Sequence, residues 1–353
     1  MAKVLVGMSG GVDSAVAAYL LQQEGYEVIG VTLRTWQGEE SRCCEIDDAR
    51  RTCEILGIRF HPHNCTSLFD CSVVNPFVND YLSGLTPNPC IECNRYVKWA
   101  KMMELAQIFE AEYVATGHYA SVVHLPNGRF TVRKAVHACK DQTYMIYKLT
   151  QEQLSHTLMP LGKYSKDEVR SIASRLGLPC ADKKDSQEIC FVTDGRYTDF
   201  IREHSGKEIP GEGLFVDENG NPLGTHKGIY QYTVGQRKGL GIALGFPAYV
   251  TIIDAENNKI TLGSLESLKC CTIICSDVNF MSIEDIPEGQ KINCFVKARY
   301  HQTERPAYIE RIDPQHVKVV TEDPFAGVSP GQSAVFYDEE GCIIGGGKID
   351  RGL

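Results

Sequence analysis

Within six residues, Ser9-Gly-Gly-Val-Asp-Ser14 places two adjacent glycines, two hydroxyls and a carboxylate directly after the apolar run Lys3–Met8. That composition can hold phosphate. Glycine tolerates positive φ and lets the backbone come close to an anion. Amides at the start of a following helix then present positive partial charge to it. Ser9 and Ser14 add hydroxyl donors. The GK[ST] ending of the loop used by γ-phosphate hydrolases is absent. A plain glycine turn capped by serine is the alternative, and it gives no reason for the flanking Ser and Asp.

A second reactive stretch is Thr86-Pro-Asn-Pro-Cys-Ile-Glu-Cys-Asn94. Two prolines stiffen a loop that delivers Cys90 and Cys93, spaced C-x-x-C, to the start of a helix expected over 94–109. Thiols at a helix N-terminus ionise more readily and are more nucleophilic. A third thiol, Cys190, follows the polar loop Lys183-Lys-Asp-Ser-Gln-Glu-Ile. The competing reading of C-x-x-C is half of a structural zinc site. No second C-x-x-C or C-x-x-H with zinc-like spacing accompanies it. Cys43-Cys44, Cys270-Cys271 and the scattered cysteines read as core or incidental residues.

The elements that must position these groups alternate in the first half of the chain. Strands are expected at 3–8, 27–33, 58–62 and 113–116, with helices at 15–23, 47–56 and 99–109. This alternation implies a parallel sheet covered on both faces, which binds ligands beyond the carboxyl ends of its strands. Residues 9–14, 33–36 and 115–118 all lie at such ends. After residue 200, glycine and proline punctuate short β-like runs at 213–216, 228–234, 248–254 and 259–262. Further short strands at 293–299, 307–312, 316–321 and 332–337 read as a barrel or sandwich.

With 353 residues, two or three domains are expected. A net charge of −9 argues against non-specific coating of nucleic acid, so an RNA partner needs local basic faces. Arg95, Lys98 and Lys101 offer one, Arg237-Lys238 among glycines another, and Arg299–Arg305 a third; for any single patch a solvated face explains as much. Fifteen cysteines are too sparse for a secreted disulfide scaffold and are expected as thiols in a reducing compartment. No apolar run approaches the roughly 20 residues of a membrane span. The opening apolar stretch is too short for a signal peptide. The expected location is cytoplasmic, with no membrane association.

At Ser9–Ser14 the chain resembles the PP-loop pyrophosphatases, which attack the α-phosphate of ATP and release pyrophosphate. Taken with TPNPC at 86–90, ATGHY at 115–119, KDQTY at 140–144, KKDSQEICF at 183–191, GQRKGLGI at 235–242 and PGQSAVFY at 330–337, it resembles the bacterial tRNA 2-thiouridylases nearly end to end. The resemblance implies an α/β fold with three parts. These are a Rossmann-like PP-loop catalytic domain at 1–200, a small central domain at 201–265 and a C-terminal β-barrel at 266–353, the last two contacting tRNA. It implies ATP and Mg2+ as cofactors. Gly7, Met8, Ser9, Gly10, Gly11, Val12, Asp13, Ser14, Leu33 and Gly117 would contact ATP, with Asp13 helping to place magnesium and pyrophosphate. Leu33 stands where methionine is often found, and either packs on adenine. Cys93 would be the nucleophile and Cys190 the persulfide carrier. Asn88, Pro89 and Cys90 would meet the target base. His118, Lys140, Asp141, Gln142, Arg299, Tyr300 and Gln332 would touch tRNA. The implied partners are tRNA with a wobble uridine and a cysteine desulfurase or sulfur-relay protein as donor.

The implied chemistry is consistent with these residues. Adenylation converts the poor leaving group at uridine C2 into AMP, so that sulfur can attack. A disulfide formed on the way is resolved by thiol exchange. Well-known members of the family carry Asp at the position of Cys90. The three thiols Cys90, Cys93 and Cys190 could instead hold a [4Fe–4S] cluster with one open iron. Both sulfur routes stay open at this point. So do a small-metabolite ligase of the same superfamily, which leaves the cysteines and β-rich C-terminus unexplained, and a non-catalytic RNA- or metal-binding protein.

Overall fold

The computed structural model describes residues 1–36, 46–181, 183, 189–192, 196–242, 244, 245 and 247–353. Cys43-Cys44 and residues 184–188 of the KKDSQEICF stretch lie outside the described residues. Two compact units emerge: residues 1–73, 90–194 and 340–343, and residues 74–89, 195–339 and 344–353.

In the first unit, strands β1 (Lys3–Gly7), β2 (Glu27–Arg34), β3 (Arg59–Asn64) and β4 (Tyr113–Ala115) precede a hairpin, β5 (Ala120–His124) and β6 (Phe130–Lys134), and a short β7 (Thr157–Leu158). The parallel sheet runs β3-β2-β1-β4-β7. β1 and β2 are buried on both faces, which is why they read as unbroken apolar runs rather than alternating ones. The helix Val12–Gln23 is alanine-rich and buried over much of its circumference. One side packs on Val4, Val6 and Val28 of the sheet. The other meets Val169, Ile172 and Ala173 of the helix Lys166–Arg175. That second helix starts with a complete capping box, Ser165 with Glu168.

The cysteine segment departs from expectation. Helical structure begins at Pro89, passes through the π-helical stretch Cys93–Trp99 and continues as Ala100–Ile108. Cys90 and Cys93 thus lie inside the first turns, not in a loop ahead of them. Proline fits the first helical position because its missing N–H has no intrahelical partner there.

The second unit holds a four-stranded sheet and a closed barrel. β8 (Gly213–Val216), β9 (Pro222–His226), β10 (Tyr249–Asp254) and β11 (Lys259–Gly263) pair in the order β10-β11-β8-β9 around Phe215, Val250 and Ile260. The strand expected at 228–234 is instead a single 3₁₀ turn, Ile229–Gln231, entered through Gly228 at φ 116°. β12 (Lys269–Phe280), β13 (Lys291–Lys297), β14 (Arg305–Arg311), β15 (Val317–Ala326), β16 (Ser333–Tyr337) and β17 (Ile343–Gly352) close as β12-β15-β14-β13-β16-β17. The barrel is filled by Ile273, Val296, Ile309, Val319 and Phe336. Closure leaves no sheet edge, and it decides between the two all-β readings.

Sheet order reverses at β1, and a crevice forms where neighbouring connections leave in opposite directions. There, Gly117 packs so closely that a Cβ would lie 2.7 Å from the carbonyl carbon of Asp13 and from the amide nitrogen of Ser14. Gly117→Ala is expected to displace backbone and lower stability by about 1–3 kcal/mol, read as a fall in thermal midpoint. An unshifted midpoint would contradict that packing.

Candidate active site

The phosphate loop is shaped by its own serines. Ser14 Oγ accepts from the Ser9 amide at 3.1 Å and donates to the Gly11 carbonyl at 3.1 Å. Ser9 Oγ lies 3.2 Å from Ser14 Oγ and accepts from the Gly11 amide at 3.4 Å. Gly10 takes φ 80°, which a side chain would resist. Beneath the loop, the Met8 amide bonds Val31 O at 2.7 Å and Thr32 Oγ1 donates to Met8 O at 2.7 Å. No side chain caps the helix at Gly11, so Val12 and the residues after it start a helix whose first amides face the loop. Gly7 is close-packed, since a Cβ would meet Met102 Sδ at 3.1 Å. Leu33 ends β2 nearby, 8% exposed.

Asp13 is held on three sides. Lys166 Nζ donates to both carboxylate oxygens at 2.8 Å, and Tyr119 OH donates to Oδ1 at 2.7 Å. The lysine is largely buried and the aspartate one third exposed. A carboxylate offers about four lone-pair sites, so three are used and the remaining one is on Oδ2. That matches a metal bound mainly by phosphate oxygens and touched by a single carboxylate oxygen. Neither Lys166 nor Tyr119 was singled out from the sequence. The capping box at Ser165–Glu168 would have placed Lys166 at a helix start.

The tRNA candidates next to this loop have structural duties. His118 is bonded to Thr116 Oγ1 at 2.9 Å and lies 5.4 Å from the Trp99 ring. Burial, helped by the Lys98 charge, holds its imidazole neutral, well below the usual histidine range. Asp141, 6% exposed, accepts from the Ala135 amide at 3.2 Å and from Thr143 Oγ1 at 2.7 Å. Gln142 Oε1 accepts from the Tyr119 amide at 2.9 Å, fixing the residue that fixes Asp13. Lys140 ends a short 3₁₀ turn and is half-buried.

The thiols differ in setting. Cys90 is exposed, Cys93 is 6% exposed and Cys190 is half-buried. Flanking polar groups tie down the Cys93 segment. Glu92 pairs at 2.7 Å with Lys148, whose side chain is 3% exposed, and Asn94 Nδ2 donates to Met145 O at 2.9 Å. Cys190 precedes Phe191, buried 5.5 Å from the Phe69 ring and 6.2 Å from that of Trp36. Among the described residues, no group of three or more His, Cys, Asp or Glu is placed to hold a metal ion. Cys90, Cys93 and Cys190 are all among the described residues and do not form such a group in this arrangement.

In the second unit, Arg299 donates to Val234 O at 2.8 Å and to Ser329 Oγ. It joins the barrel to the preceding sheet region. Tyr300 lies 4.7 Å from the His301 ring and under Lys297. Gln332 Nε2 donates to Thr86 O at 2.8 Å. Asn88 is half-buried and Pro89 buried in the same segment. Arg237, Leu240, Ile242, Leu244 and Pro247 line an open concavity of about 750 Å³. No described helix is long and apolar enough to cross a membrane.

Residues 2–194 match the family described as tRNA methyl transferase HUP domain. Residues 198–264 match its PRC-barrel domain, and 271–349 the aminomethyltransferase beta-barrel domain. The chain is 48% identical over 360 residues to the tRNA-specific 2-thiouridylase MnmA of Lachnoclostridium phytofermentans, covering 99% of each. It is 48% identical over 361 residues to MnmA 2 of Caldanaerobacter subterraneus subsp. tengcongensis, covering 99% of this chain and 98% of that one. With MnmA of Clostridioides difficile it shares 46% over 360 residues, covering 99% of each. Along its whole length, the chain belongs to the tRNA-specific 2-thiouridylase family.

Proposed function

We propose that this enzyme uses ATP to transfer sulfur to tRNA, replacing the C2 oxygen of the wobble uridine. The observation that carries the reading is the 48% identity over 99% of the chain to tRNA-specific 2-thiouridylases. The serine-braced loop with Asp13 beside it supports the ATP half of the reaction. In this reading residues 1–200 activate and thiolate the base, while 201–265 and 266–353 meet the tRNA. Of the candidate contacts, Cys90 is exposed, Pro89 and Asp141 are buried, and the others, Lys140 and Tyr300 among them, are half-buried.

Gly7–Ser14 bind the triphosphate, Leu33 flanks the adenine, and Gly117 keeps the loop closed from behind. Asp13 would hold Mg2+, which when bound would supply positive charge against the leaving pyrophosphate. Asn88, Pro89 and Cys90 take the target base, which an anticodon loop releases from stacking at small cost. The C2 oxygen attacks the α-phosphorus, the bond to pyrophosphate breaks, and an adenylated uridine results. A persulfide on Cys190, supplied by a cysteine desulfurase or relay protein, attacks C2 with its terminal sulfur. AMP departs with the former C2 oxygen, leaving a disulfide between Cys190 and the base. The Cys93 thiolate attacks Cys190 Sγ, which frees 2-thiouridine and leaves a Cys93–Cys190 disulfide for an external thiol to reduce. No step passes through a cluster.

Four outcomes test this. Pyrophosphate release should require tRNA, and release without it would favour a small-metabolite ligase. Cys190→Ser should abolish thiolation while ATP still binds; normal thiolation would overturn the sulfur assignment. Anaerobically purified protein should thiolate with a persulfide donor whatever its iron and labile-sulfide content, and activity that tracks the iron would contradict the route. Lys166→Met should cut tRNA-dependent pyrophosphate release by about tenfold or more through a misplaced Asp13, with Lys166→Arg recovering part. An unchanged rate would show that Asp13 needs no such support.

A further inference from the structure

The side-chain amide nitrogen of Gln332, a residue expected on tRNA, is bonded to protein. Its amide donates to Thr86 O at 2.8 Å and lies 3.4 Å from Pro87 O. The preceding residues grip the same backbone. Pro330 O accepts from the Thr86 amide at 2.8 Å. Gly331, at φ 91°, sits so close that a Cβ would be 2.9 Å from the Thr86 nitrogen and 3.0 Å from Leu85 Cβ. Thr86 is thus held from both its amide and its carbonyl.

Each side of this contact is anchored in turn. The Gly331 amide donates to Ile349 O at 2.8 Å, and the Ile349 amide to Gln332 O at 2.7 Å. Ile349 is 1% exposed in the barrel core. Before Thr86, Asp80 pairs with Lys348 of β17 at 2.9 Å, and Tyr81 stacks on Tyr197 at 4.7 Å. The stretch after Thr86 needs an outside donor, because Pro87 and Pro89 have no N–H with which to tie the loop down. Gln332 supplies that donor to the two carbonyls ahead of Asn88.

We propose that Gln332, with Pro330 and Gly331, is a positioning residue: it fixes the conformation of Thr86–Pro89 and acts on tRNA modification through that loop, not through contact with nucleic acid. This rests on the reading that Asn88 and Pro89 meet the target base. A displacement of about 1 Å at such a loop can lower a rate about a hundredfold. Binding energy, spread over many phosphate contacts, would be little changed.

The variants are Gln332→Met, which keeps length and packing but donates no hydrogen bond, and Gly331→Ala. The readouts are tRNA Kd by filter binding and the single-turnover thiolation rate at saturating ATP and tRNA, using a transcript with uridine at the wobble position. Both variants should keep Kd within about twofold and lose about tenfold to a hundredfold in rate. A Kd about tenfold weaker with the saturated rate intact would overturn the proposal and restore direct contact. Hydrogen exchange at the Thr86 amide, measured without tRNA, should quicken in Gln332→Met, and unchanged protection would overturn it independently of activity. If the wild-type enzyme releases no pyrophosphate with tRNA while that exchange still quickens, the functional reading fails and the latch stands.

Discussion

The phosphate loop of the first unit is set by the meeting of two loops with no room between them. Gly117, just past β4, touches the backbone of Asp13 and Ser14 at a distance that excludes any side chain. Because β1 and β4 are adjacent parallel strands, their carboxyl ends open on the same crevice. The contact therefore fixes the wall of the phosphate loop. Tyr119, two residues on, then reaches Asp13 Oδ1, and Gln142 holds Tyr119 in place. A glycine, a phenol and an amide thus turn strand order into the orientation of one carboxylate.

The second unit repeats the device with different parts. There the barrel turn Pro330–Gln332 closes on Thr86, and Arg299 ties the barrel to Val234 of the preceding region. In both units, several residues expected to contact tRNA are engaged in this way. Arg299, Asp141, Gln142 and Gln332 all make hydrogen bonds that hold backbone in place. Polar groups that serve a substrate must themselves be held, and the holding residues occur in the same motifs as the contacts.

The phosphate loop was legible because its chemistry is local: glycines, hydroxyls and the helix start lie within a few residues. The parallel sheet was legible because double-sided burial writes itself as unbroken apolar runs. What joins distant segments was not. Lys166 lies 153 positions from Asp13, and Gln332 lies 246 from Thr86. No spacing rule connects them. The turn at Ile229–Gln231 misread as strand because aromatic and β-branched residues have strand propensity wherever they are buried. The hairpin β5–β6 was missed although Pro126-Asn127-Gly128 between two alternating runs is a strong turn signal. The cluster reading rested on Cys90 standing where relatives carry Asp and on the number of thiols, and among the described residues no metal-holding group is found.

What unifies these parts is the claim that ATP is spent on the base itself, with the uridine oxygen leaving on AMP. The direct measurement is an isotope trace: tRNA carrying ¹⁸O at C2 of the wobble uridine is thiolated in ordinary water, and the products are weighed by mass spectrometry. One ¹⁸O in the phosphate of AMP for each 2-thiouridine formed is the predicted result. Unlabelled AMP alongside thiolated tRNA would contradict the account.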